Sequence, residues 1–179
     1  MKNTYKTISV VGLFILFALA LYILYTKENK KIAFVKNTDL YNEFGLKKEL
    51  ENKLTKVKNQ RKAILDSLYI PLQLLSTQLE SSKNKDQKLI MNFQLQKKNY
   101  LLKQQEFDED NKRLADDYSQ QIWKQINQYV ADYGKENGYF LILGATGDGS
   151  LMYAKEEVDL TKELKEYINA KYSGENRKK

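Results

Sequence analysis

The sequence predicts an α+β fold in which a long antiparallel helical coiled-coil hairpin projects from a small body of β-strands. Three observations predict it. Only one proline punctuates the 179 residues, so helices can run long. Apolar residues recur at helical spacing on both sides of a single polar break. A glycine-rich stretch, YFLILGATGDGSLMYAKEEVDLT at 139–161, carries two short apolar runs of strand type.

Composition narrows the function classes. There is no cysteine and no histidine, which removes disulfides, thiolate chemistry, the commonest metal ligand and the usual general base. No nucleophile–base pair presents itself, so no catalytic residue, cofactor or metal is expected, and the chain reads as a non-enzyme. The net charge of +7 suits nucleic acid, an anionic membrane surface or acidic partners.

The first element is the uncharged run TISVVGLFILFALALYILYT at 7–26. About twenty such residues as a helix span about 30 Å, the apolar thickness of a bilayer. Two readings stand. Ala18-Leu19-Ala20 offers the small-x-small pattern of a cleaved secretory signal. The apolar run continues through Leu21 to Tyr25, however, which favours an uncleaved transmembrane anchor with Tyr22 and Tyr25 at the interface. Lysines flank both ends, so charge does not decide the orientation. Either reading sends the rest of the chain across the membrane if the short N-terminal tail stays inside.

KIAFVKNTDLYNEFG follows, with 32–35 a short strand, Thr38 a candidate N-cap and Asp39 favourable in the first helical turn. Gly45 is expected to interrupt the helix. From there Leu46, Leu50, Leu54, Val57, Ile64, Leu68, Leu75 and Leu79 mark the outgoing arm. SSKNKDQK at 81–88 is the turn, and Leu89, Phe93, Tyr100, Phe107, Leu114, Tyr118, Ile122, Ile126, Tyr129 and Tyr133 mark the return. If the turn centres on Asn84, antiparallel partners sum to about 168 in residue number. Leu68 then faces Tyr100, and Glu106 and Asp110 face Lys62 and Lys58. Pro71 is expected to kink the outgoing arm.

The return helix is expected to end at Asn137-Gly138, where glycine supplies the left-handed cap. A β-hairpin turning at Asp148-Gly149 comes next, then a helix capped by Asp159 or Thr161 with Leu164, Tyr167 and Ile168 on one face. Successive apolar residues in both hairpin strands call for burial on both faces. One short helix cannot supply it. Copies of the same module are expected to share the sheet.

The residues therefore divide as 1–26, anchor or uncleaved signal; 27–45, first strand and helix start of the body; 46–137, helical hairpin; 138–172, β-hairpin and C-terminal helix; 173–179, polar tail. IAFVKNTDLYNEF at 32–44, the lysine- and glutamine-rich hairpin, and YGKENGYFLILGATGDGSLMYAKEEVDLTKEL at 133–164 together resemble the Skp/OmpH family of periplasmic chaperones. That resemblance implies a homotrimer whose strands build one body. Its three helical arms would enclose a cavity that holds unfolded outer-membrane proteins without ATP. The uncleaved-looking N-terminus departs from the family pattern and implies a variant anchored in the inner membrane through residues 7–26, the alternative being a soluble periplasmic protein. Lys155-Glu156 stands where the family often has an acidic-proline step.

Two sets of candidate residues follow. Leu65, Tyr69, Leu72, Leu74, Met91, Leu95 and Leu102 lie beside the helical seam and form a second apolar stripe, expected to touch clients; thicker packing within the hairpin is the plainer reading. Ile32, Phe34, Phe140, Ile142, Leu151 and Tyr153 are the expected oligomer interface. GATGDG at 144–149 leads into an expected strand and not a helix, so it reads as a hairpin turn and not a phosphate loop. The acids at 108–110 and 116–117 lack the tight glycine turn of a calcium loop. Acids interleaved with the lysines of the arms argue against nucleic acid. A structural tether of an envelope complex is the alternative to the chaperone.

Overall fold

The computed structural model describes residues 17–18, 30–82 and 86–174. Apart from Phe17 and Ala18, the expected anchor or signal lies outside the described residues, as does the tail beyond Gly174. Among the described residues no helix is long and apolar enough to cross a membrane.

The order is β1 (Lys31–Lys36), α1 (Asn37–Glu43), α2 (Gly45–Ser81), α3 (Gln87–Glu136), β2 (Tyr139–Ala145), a 3-10 turn at Glu156–Val158 and α4 (Thr161–Ser173). Helices α2 and α3 form the antiparallel hairpin. With 37 and 50 residues they measure about 55 and about 75 Å. The longer helix continues past the base of its partner and becomes part of the body. Pro71 stands inside α2, which runs unbroken through it.

The first helix does not begin as expected. It starts at Asn37, and no side chain caps it; Thr38 is already helical, because the strand hands the chain over two residues earlier than a Thr38 cap would. The break before α2 falls at Phe44, whose extended backbone (φ −73°, ψ 131°) turns its ring into the core. Asn169 of α4 splices this joint. Its Oδ1 accepts from Gly45 N at 2.8 Å, and its Nδ2 donates to Glu43 O at 3.3 Å. A methyl on Gly45 would come within 3.2 Å of the Tyr172 ring, so the joint has little room.

The body packs β1, α1, the base of the hairpin and α4 around Val35, Leu40, Phe44, Ile122, Ile126 and Leu164, all at most 3% exposed. Asp159 seals one side. Its carboxylate accepts from Thr161 N at 2.8 Å and meets Lys36 Nζ at 3.0 Å, while Lys36 N donates to Thr161 Oγ1 at 2.9 Å. Burial pushes the Asp159 carboxyl up, but the Thr161 hydrogen bonds and the Lys36 ammonium outweigh it and hold it below the usual range.

The sheet corrects the expected β-hairpin. It has two strands, β1 and β2, paired parallel with Ile32 opposite Leu141, Ala33 opposite Ile142 and Phe34 opposite Leu143. The reason is directional. Strand β1 starts beside the C-terminal end of α3, and β2 leaves from that same end, so both run the same way. Beyond β2, Asp148 draws the chain into a turn by accepting from Ser150 N at 3.0 Å, and Gly147 and Gly149 take positive φ. The chain does not return as a strand. Residues 151–155 have no regular structure, and the backbone crosses to the far side of β1, where Leu160 N donates to Phe34 O at 2.9 Å.

Gly144 sits on the inward face of β2, where a Cβ would lie 2.5 Å from Asn37 Oδ1. A side chain there would have to push the Asn37 carboxamide aside.

Candidate functional site: the outer arms and the open sheet

The hairpin changes character along its length. Near the body its seam is dry, with Leu50, Ile122 and Ile126 at most 5% exposed. Midway the seam turns polar. Arg61 Nη1 donates to Asn111 Oδ1 at 2.6 Å, and Nη2 donates to Asp110 Oδ2 at 3.3 Å. Arg113 also meets Asp110, and the Phe107 ring lies under both Arg61 and Lys103. The cross-helix pairs expected from number matching are not made. Lys62 bonds Asp66 and Glu106 bonds Lys103, each at 2.7 Å on its own helix. Neighbours one turn away cost less ordering than partners on another helix, and the forked guanidinium of Arg61 takes Asp110 instead. Farther out, Tyr69 packs against Tyr100 with ring centroids 5.7 Å apart, one residue from the register expected for Leu68.

Beyond this polar layer the arms are greasy on the outside. Of the seven expected client residues, Tyr69, Leu74, Met91, Leu95 and Leu102 are exposed, the last four by more than half. Leu65 is half-buried and borders a groove with Arg61, Phe107 and Asn111. Leu72 is a correction: it is only 8% exposed and fills the seam. Apolar residues crowd 64–75 on every face of α2, so helical spacing alone does not say which of them turns inward. Ile64 and Leu68, placed in the seam by periodicity, are exposed, and so are Ile70 and Leu101, which periodicity did not single out. Their signal in the sequence was density. Met91, Leu95 and Leu102 follow a spacing of four and seven residues on α3, one continuous outer stripe.

Charge follows the same division. From Gln87 to Gln105, α3 carries Lys88, Lys97, Lys98 and Lys103 and no carboxylate, whereas the stretch nearer the body carries five acids between Asp108 and Asp117. Lys97, Lys98, Leu101 and Leu102 line a shallow groove of about 390 Å³ on the outer face. Among the described residues no group of acidic side chains is arranged to hold a metal ion.

The second surface is the sheet. Ala33 and Val35 point into the core, so alternation sends Ile32 and Phe34 outward, where the pairing sets them beside Leu141 and Leu143. Ile32, Leu141 and Leu143 stay 41–50% exposed, and Phe140 at the strand entrance is 63% exposed. Of the other expected interface residues, Tyr153 is 80% exposed and Leu151 is half-buried, whereas Ile142 packs against its own core. Sequence reasoning missed Leu141 and Leu143, because in a hairpin their partners would have been residues after 149 and not Ile32 and Phe34. Among the described residues the outer edge of β2 pairs with no strand.

These features define a class of protein: a compact strand-and-helix body bearing one long helical arm. The family model described as "Outer membrane protein (OmpH-like)" matches residues 31–168, and the chain belongs to that family. In structure it is similar to a candidate outer membrane chaperone (OmpH-like) from Caulobacter crescentus. The TM-score is 0.68 at 13% identity, over 79% of this chain and 85% of that one; at this identity the likeness concerns the fold. No curated protein sequence matches the chain.

Proposed function

We propose that the protein is a non-enzymatic, ATP-independent holdase chaperone of the bacterial periplasm, sheltering unfolded outer-membrane or other envelope proteins between the arms of a homotrimer. The observation that carries this reading is the outer half of the hairpin. There Leu74, Met91, Leu95 and Leu102 are left more than half exposed; on α3 the stretch from Gln87 to Gln105 carries four lysines and no acid, while α2 past Lys62 carries Asp66 and Glu80. A monomeric protein seldom leaves so much apolar side chain in water without a partner. Distributed, flexible contacts suit clients of many sequences, and lysines draw in acidic chains. The open sheet supports the trimer: three copies joined through β1 and β2 would cover Phe34, Leu141 and Leu143 and dispose of the free strand edge. The family and its structural neighbour support a chaperone role, and residues 7–26 support attachment to the inner membrane.

The test is aggregation of an unfolded outer-membrane β-barrel protein. Residues 27–179 are expected to suppress light scattering at about one trimer per client, and a Leu74→Ser, Met91→Ser, Leu95→Ser, Leu102→Ser variant is expected to lose that effect while keeping its helix content. No suppression, with a single folded partner recovered instead, would favour the structural tether.

A further inference from the structure

We propose that the end of the body opposite the arm tips is a docking surface for an anionic lipid bilayer, so that the arms point away from the membrane that holds the chain. The inference rests on the anchored reading of residues 7–26 and adds the surface and the direction. The chain enters the described structure at that end. Lys31 pairs with Tyr139 and its Nζ donates to Asn137 O at 3.2 Å, while the Lys30 ammonium lies 4.3 Å above the Phe140 ring. Asn137 caps the C-terminus of α3, whose other end, Gln87, is at the tip, about 75 Å away at helical rise.

The uncharged run ends at Thr26, four residues before Lys30. Four residues reach at most about 14 Å. A bilayer holding that run therefore holds this end of the body within touching distance and leaves the tips several Debye lengths away. The charges on this end fit headgroup phosphates. Lys30, Lys31 and Lys135 are exposed. Of the acids nearby, Glu136 is already taken by Lys171 at 3.2 Å and by the Tyr167 hydroxyl at 2.9 Å, Asp132 accepts from Gln128 Nε2 at 2.9 Å, and Glu28 lies outside the described residues. Lys135 also offsets the partial negative charge at the end of α3. Lysines so placed are attracted to an anionic surface. The apolar stripes of the outer arms, by contrast, stand clear of lipid and free for clients.

The chain has no cysteine, so single labels are clean. The full chain, reconstituted in phosphatidylethanolamine–phosphatidylglycerol vesicles with a headgroup-bound energy acceptor, would carry one fluorophore at Ala131→Cys or at Gln87→Cys, both exposed positions on α3. Transfer is expected to be at least about fivefold stronger at Ala131→Cys, given the separation along the helix. The triple variant Lys30→Gln, Lys31→Gln, Lys135→Gln, or neutral phosphatidylcholine vesicles, should weaken the Ala131 signal about twofold with no change at the tip. Equal transfer at both labels, or an Ala131 signal indifferent to lipid charge and to the three lysines, overturns the proposal; so does protein that fails to float with the vesicles. Aggregation suppression by residues 27–179 needs no membrane, so it stands or falls separately.

Discussion

The two halves of the arm are built from the same helices and serve opposite ends. Near the body the hairpin hides Leu50, Ile122 and Ile126 completely or nearly so, and its outer faces carry acids and lysines in balance. Beyond Glu106, toward the tip, the acids on α3 disappear, Leu72 is the one buried side chain among the described residues of the outer seam, and large apolar side chains face outward. The inner half buries its apolar side chains, and the outer half leaves several of its own exposed. Stability and stickiness compete for the same residue types, so a single hairpin can provide both only by separating them along its length, here at the layer of Arg61, Phe107 and Asp110.

The largest effect that sharpens this contrast comes from the base. Ile126→Ala empties a fully buried site and is expected to cost about 2–5 kcal/mol, read as a lower urea midpoint. Gly144→Ala, whose methyl pushes the Asn37 carboxamide aside, is expected to cost about 1 kcal/mol or less in the same titration. Phe34→Ser with Leu143→Ser acts on assembly: light scattering should report dissociated copies, and a persisting oligomer would show that the open sheet face is not the interface.

The pH dependence of the body supplies two smaller effects. Asp159 is held below its ordinary range, so its contribution is present above the unfolded carboxylate value of about 4. It is lost as pH falls through the folded value, and Asp159→Asn should flatten that acid limb. Tyr172 donates to Glu49, and this bond, with burial and the Glu49 charge, pushes its hydroxyl up to about 12. The stabilisation is whole below the unfolded value of about 10 and declines as pH rises from there toward about 12; Tyr172→Phe should remove that alkaline decline. The smallest change in stability is expected at Leu74→Ala, within about ±0.5 kcal/mol. A large loss there would erase the distinction between the two halves.

The long-period features of the fold were legible in the sequence. Helical spacing marks both arms, the polar run at 81–88 lies where α2 ends and α3 begins, and Gly138 takes the positive φ that follows the α3 cap. Strand direction was not. The composition of 139–145 says strand, but its partner is set by where a 50-residue helix delivers the chain, which no local pattern encodes. Density of apolar side chains pointed to the candidate arm residues, and Leu72 is buried where an exposed position was expected, because the opposing helix decides which of several crowded leucines is covered. Asn169 gave no signal at all: an asparagine in a polar helix reads as surface until the helix is docked on the α1–α2 joint.

The parallel pairing of Ala33 with Ile142 has a kinetic meaning. Strands that far apart in the chain cannot meet until everything between them has been made and folded back, since closure of so long a loop precedes any gain from the contact. On a ribosome or emerging from a translocon, the body therefore closes last, after both arms exist. The outward face that Ile32, Phe34, Leu141 and Leu143 make together does not exist before that moment. If copies join through that face, only chains with both arms complete can do so.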